Sequence, residues 1–265
     1  MKPFTQTIST LVIAVSAFNF INAALAQPAP PGPPPPPPPG RASAPIDLTG
    51  TWVAIITEDW PTRMVTPLIG DTSSIPENQA AKDIAMQWTP AMDEGNECRA
   101  YGAAAIMNEP TRLRISWEDD LTLKMEIDSG MQTRLFHFDD SVPAGAPSRQ
   151  GHTLARWSGP YEPSPRQFGL GVDLINQPAS SLEAHTSNLI PGYLRKNGIP
   201  HSDQATVTEY FDVIQIADGS TWLIDVVIVD DPVYLNQPWV VSRNFKKEAD
   251  DSKWNPQDCL AYATY

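Results

Sequence analysis

The sequence predicts an all-β fold of antiparallel strands, a sandwich or a closed β-barrel, with one short helix, on three observations. From residue 112 onward apolar and polar residues alternate in short blocks, the period of a strand with one buried face. Turn-forming clusters separate the blocks: Glu118-Asp119-Asp120, Asp128-Ser129-Gly130 and the hairpin turn Ala217-Asp218-Gly219-Ser220. Only one stretch, Glu77 to Trp88, reads as helix; it starts after Pro76, has Asn78 or Ser74 as a cap and stops before Pro90.

The strand blocks follow in order. Arg112 to Trp117 alternates, Leu121 to Ile127 alternates again, and Gln132 to Phe138 continues the pattern. Thr153–Trp157, Ser181–Leu189, Thr206–Ile216, Thr221–Val229 and Trp239–Lys246 complete it. Many short strands with one apolar face suit a sandwich or a closed barrel. Residues 142–148 and 160–165 are proline-rich and read as loops, and so does 190–205, with Pro191-Gly192-Tyr193, Asn197-Gly198 and Pro200. A long ordered loop in a compact barrel is a place where function sits.

Upstream of the strands the chain has a different character. Lys2 precedes an apolar stretch from Ile8 to Ala26 that ends Ala24-Leu25-Ala26, and no further charge appears before Arg41. That is the pattern of a cleavable secretion signal over residues 1–26, and Asn19 and Asn22 interrupt the stretch as a stable membrane span. Residues 27–45 carry a proline run, Pro28 to Pro39, broken only by Ala29 and Gly32. Such a run favours an extended polyproline II spacer. The domain organisation expected is therefore signal 1–26, linker 27–45 and barrel 46–265, with a periplasmic or secreted destination and no membrane insertion after cleavage.

Composition bounds the function. The chain has 18 basic and 31 acidic side chains, a net charge of −13. This balance argues against nucleic acid and anionic membrane surfaces as partners. Two cysteines, Cys98 and Cys259, lie in the exported part, and an even count in an oxidising compartment reads as one disulfide.

The globular part begins Leu48-Thr49-Gly50-Thr51-Trp52-Val53. Gly50-x-Trp52 resembles the lipocalin and calycin signature, whose Trp closes the barrel bottom against a basic residue of the last strand. Arg243 is placed for that role, with Lys246 the alternative. The chain also resembles a family of uncharacterised bacterial exported proteins through Cys98-Arg99-Ala100-Tyr101-Gly102, Thr153 to Gly159, Ile199 to Asp203 leading to Thr208 to Phe211, Val229 to Tyr234, and Gln237-Pro238-Trp239. The resemblance implies a lipocalin-like barrel and no assigned activity. Trp157-Ser158-Gly159 stands where that family has Trp-Glu-Gly, so no role passes to the missing acid.

No Gly-x-Ser-x-Gly elbow, phosphate loop or His-Glu-x-x-His occurs. The four histidines, His137, His152, His185 and His201, share no ligand-like spacing, so neither a metal nor another cofactor is expected. Glu209 is the leading ionisable candidate. One strand register turns it inward and the other turns it to solvent, and an inward carboxylate needs a charge partner or a raised pKa. Arg134 and Arg156 are candidate partners, His185 a neighbour, and Tyr193 and Arg195 sit on the loop expected to cover the mouth. Trp117 and Trp222 are candidate walls for a ligand. The leading expectation is a small, largely apolar molecule held in the barrel. A cofactor-free acid–base enzyme, with Glu209 and His185 as base and acid and Tyr193 or Arg195 stabilising an oxyanion, is the alternative. An accessory protein of an envelope complex is a third.

Overall fold

Nine strands close into a barrel because each alternates between a buried and an exposed row. In β2 (Arg112–Asp119), β3 (Thr122–Ile127) and β9 (Thr206–Gln215), every second residue is buried over most of the strand. The computed structural model describes residues 40–57, 59–161 and 179–260; the signal and most of the linker lie outside them, as does most of the 160–178 stretch between β5 and β6. The remaining barrel strands are β1 (Gly50–Ile55), β4 (Gln132–His137), β5 (His152–Tyr161), β6 (Ala179–Ser187), β10 (Thr221–Asp230) and β11 (Trp239–Lys247). Their order around the ring is β1-β11-β10-β9-β6-β5-β4-β3-β2.

One seam departs from the antiparallel expectation. β4 and β5 run parallel, over Phe136↔Thr153 and His137↔Leu154 only. Residues 138–151 carry the chain back before β5 starts, and a return of this kind is what parallel pairing needs. The stretch 190–205 also differs from the loop reading. It contains the hairpin of β7 (Gly192–Arg195) and β8 (Ile199–His201), whose residues are all buried. Polar residues at buried positions and Pro200 hide these strands from an alternation test. Gly198, at φ +83°, makes the turn against Trp88, whose ring an added Cβ would overlap.

The helix over Gln79–Gln87 (α2) is capped by Asn78, whose side chain accepts a hydrogen bond from the Ala81 N–H. A second helix, α1 (Trp60–Arg63), is a single turn and too short to leave a periodicity.

The two ends of the barrel are closed differently. At one, residues 59–111 and the β7–β8 hairpin form a cap, in which Arg195 and Asn197 bond the backbone of 68–73. At the other, residues 40–48 cross the opening as a single strand of chain. They start beside β5, where Gly40 accepts the Trp157 indole N–H at 2.7 Å. They finish at β1, where the Trp52 indole donates to the Leu48 carbonyl at 2.9 Å. β1 and β5 stand four strands apart in the nine-strand ring, and the Arg41 N–H also bonds Asp120 of the β2–β3 turn, so this strap runs between β1 and these two contacts. Residues 40–45, read as linker from sequence, therefore belong to the folded part.

Cys98 and Cys259 form the expected disulfide. It fastens the C-terminal segment, which also pairs by Gly130 N–H to Gln257 O at 2.8 Å. Among the described residues no helix is long and apolar enough to cross a membrane.

Candidate functional site

Alternation decides which charges enter the barrel. On β9, Val207, Glu209 and Phe211 share the inward row; on β10 it is Leu223, Asp225 and Val227. Glu209 is 0 % exposed and Arg134, on β4, 1 %. Their pairing is bidentate, Nη1 to Oε1 at 2.7 Å and Nη2 to Oε2 at 2.5 Å. Arg134 Nη2 also donates to Thr186 Oγ1 at 3.3 Å, and Thr186 meets Thr153 at 2.8 Å. Burial opposes the Arg134 charge, but the Glu209 carboxylate outweighs it and raises the guanidinium pKa further.

Asp225 completes this buried group and has no equivalent support. Neither carboxyl oxygen finds a hydrogen-bond partner among the described residues. Burial, reinforced by the Glu209 charge, raises its pKa well above the carboxylate range. It is thus a proton-holding acid beside a salt bridge. Around it Trp52, Leu113, Phe136, Ala184, Phe211, Leu223 and Phe245 are all at most 1 % exposed. The middle of the barrel is filled by side chains.

Access improves toward the strapped end. Along the inward row of β5, Thr153 is buried while Ala155 and Trp157 are half-buried. On β2, Leu113 and Ile115 are buried and Trp117 half-buried; on β9, Phe211 is buried and Val213 half-buried. Trp117, Phe138 and Trp157 form one aromatic group, with ring centroids 5.3–6.5 Å apart. This half-buried aromatic group at the strapped end, the basin, is where the inward rows become accessible.

The structure separates the residues that sequence reasoning grouped. Arg134 is the partner of Glu209, and Arg156 is not. Arg156 points outward to Glu183, 2.6 Å away, because it lies one residue off the inward row of Ala155 and Trp157. His185 is likewise on the outer face, its Nδ1 3.3 Å from Thr208 Oγ1, because Ala184 and Thr186 occupy the inward positions beside it. Glu209 and His185 therefore do not share a site, and both oxygens of Glu209 are taken by Arg134. Trp222 alternates out of the barrel next to inward Leu223, and its indole bonds Ser220. Trp117 alone of the two proposed tryptophan walls faces the basin.

Tyr193 and Arg195 lie in β7, inside the cap. The Tyr193 ring packs edge-on to Trp88 at 6.2 Å under the Arg99 guanidinium at 4.3 Å. Burial and the nearby Asp93 charge push its hydroxyl up to about 12. Arg195 donates to the Ser73 carbonyl at 2.6 Å, and burial lowers its pKa. Both are structural posts of the cap. The basic residue beside Trp52 is Lys247, with Nζ 5.1 Å from the ring; Arg243 instead reaches Asn108 at 2.7 Å and Asp59 at 3.4 Å. The register explains this, since Trp52 faces Lys247 directly.

His137 and His152 stack at 5.2 Å across the β4–β5 seam, and His201 is buried in the cap. Among the described residues no group of three or more His, Cys, Asp or Glu side chains is arranged to hold a metal. Sequence reasoning missed Asp225 and the basin residues Phe138 and Gly40. Asp225 was legible, as the one acid in the apolar row Leu223, Val227, Val229; the basin was not, because it depends on where the strap crosses. Comparison with family models, with curated proteins and with solved structures finds no match for this chain.

Proposed function

We propose that this is an exported lipocalin-like protein that binds a small, largely apolar molecule at the strapped end of its barrel. The observation that carries the reading is the graded exposure of the inward rows. The same rows that are sealed at mid-barrel become half-buried at Trp117, Ala155, Trp157 and Val213. Partly exposed aromatic surface at the end of an apolar interior favours a ligand that removes it from water. The filled middle of the barrel confines that ligand to the end. Export rests on the signal-type N-terminus and is consistent with the disulfide, a bond favoured in oxidising compartments.

The test uses the dye 8-anilinonaphthalene-1-sulfonate as probe, followed by its fluorescence. Replacing Trp117 by Ala removes one wall and weakens the dye by about tenfold or more, the worth of a large buried apolar contact. Trp222→Ala, on the outer face, leaves the affinity unchanged. Equal losses at both positions, or no dye bound by the native protein, would overturn the assignment.

A specific observation also favours the accessory role. The cap exposes Trp60, Met64, Leu68, Met86 and Met92, with Leu68 75 % exposed. Apolar residues clustered on one segment mark a contact surface for another protein. Polar replacements at Leu68 and Met86 that leave dye binding intact but abolish association with a defined envelope partner are the result this reading expects.

A further inference from the structure

Residues 40–48 meet the aromatic group at Trp157, which donates its indole N–H to Gly40. We infer that the strap, residues 40–48, is a gate whose release at Gly40 admits the ligand; this rests on the binding reading above. The argument begins with Gly40 itself. It adopts φ +73°, and an added Cβ would overlap the Asp120 carbonyl oxygen in the β2–β3 turn. Only glycine sits there without strain. The neighbouring Arg41 N–H donates to that same carbonyl at 2.9 Å, and the Gly40 carbonyl takes the Trp157 indole N–H.

One of these hydrogen bonds fastens the Gly40 end to the β2–β3 turn and the other to β5. The far end is anchored differently: Leu48 is buried and accepts the Trp52 indole, and Ile46 packs on the core. The strap is thus hinged at β1 and latched on the β2–β3 turn and on Trp157 of β5. The latch is also part of the basin, since Trp157 contributes both the indole N–H and the apolar ring. A ligand that packs on the Trp157 ring competes with the geometry that holds Gly40. Binding and release of the strap are therefore coupled through one side chain, and the ligand's differential affinity for the open form sets the coupling. Because the latch comprises two ordinary hydrogen bonds, its loss shifts the open population by about tenfold rather than by many orders of magnitude.

The test compares the full-length mature protein with Gly40→Ala, which removes the latch, and Trp157→Phe, which keeps the ring and loses its N–H. Hydrogen exchange over residues 40–48 and acrylamide quenching of tryptophan read the strap without any ligand. Stopped-flow binding of 8-anilinonaphthalene-1-sulfonate reads admission. Faster exchange at 40–48 in both variants, and a dye association rate raised about tenfold in Gly40→Ala and less in Trp157→Phe, is the expected result. Unchanged exchange and quenching in both variants overturn the gate, whatever the dye does. Dye bound at the same rate by all three proteins also overturns it while leaving the binding site standing. Faster exchange with no dye bound by any of them retains the mobile strap but removes the binding reading on which its role as a gate depends.

Discussion

The two ends of this barrel are closed by opposite means. The cap is thick and its buried charges are engaged: Lys196 pairs with Glu109 at 2.5 Å, Arg195 and Asn197 bond the backbone of 68–73, and Arg243 reaches Asn108 and Asp59. The strap is a short length of chain, with a 3-10 turn at Gly40–Ser43, beside half-buried aromatic rings. The difference teaches which end is built to stay shut. Opening the cap would part these ion pairs and hydrogen bonds together and expose the apolar surface packed around them, whereas lifting the strap at Gly40 parts two ordinary hydrogen bonds.

Breaking the capped side and the barrel centre gives the largest effects. Cys98→Ser with Cys259→Ser opens a 161-residue separation and costs about 5 kcal/mol in the chain-entropy model, read as a lower denaturation midpoint. Glu209→Ala takes from Arg134 its bidentate partner in the filled barrel, leaving Thr186 and the Asp225 carboxyl beside it, a loss of about 3–5 kcal/mol by chemical denaturation. Replacing both Glu209 and Arg134 by leucine recovers most of that loss; failure to recover would mean that the ion pair supports packing beyond its own charges. Gly198→Ala forces a side chain against Trp88 at positive φ, and costs about 2–3 kcal/mol. Its effect concentrates in the cap, so hydrogen exchange rises at 192–201 and not at 40–48. An equal rise at both ends would erase the distinction between them.

The smallest effect is a pH dependence. The Asp225 carboxyl is raised from its ordinary value of 3.8 by burial and by Glu209. As pH rises through the ordinary aspartate range the unfolded chain releases this proton and the folded chain keeps it. The native state then holds more protons, so its stability falls with rising pH until the folded group ionises. Asp225→Asn removes that slope and stabilises the protein at neutral pH relative to acid. A melting-temperature profile with the same slope in variant and native protein contradicts the assignment.

The barrel strands were readable because their determinants are local. Each needs only a period of two, and a half-buried strand writes that period directly into its residues, as Arg112 to Ile127 does. The same rule reaches partway into the site. Once the register of β9 is fixed by Val207 and Phe211, Glu209 must point inward, while His185 must point outward because Ala184 and Thr186 take the inner row. The β7–β8 hairpin escaped because its residues are buried on all sides, and full burial leaves no alternation.

The sequence by itself determined the all-β class, the strand positions, the capped helix and the pairing of two cysteines, since each follows from neighbours within a few residues or from a count of two. Tertiary structure alone decided that Arg134 rather than Arg156 meets Glu209 and that Lys247 rather than Arg243 lies beside Trp52. It also decided that a presumed linker crosses the opening to bond Trp157. Those outcomes depend on how nine strands are staggered around a ring, and a stagger is a property of the closed barrel that no single strand encodes.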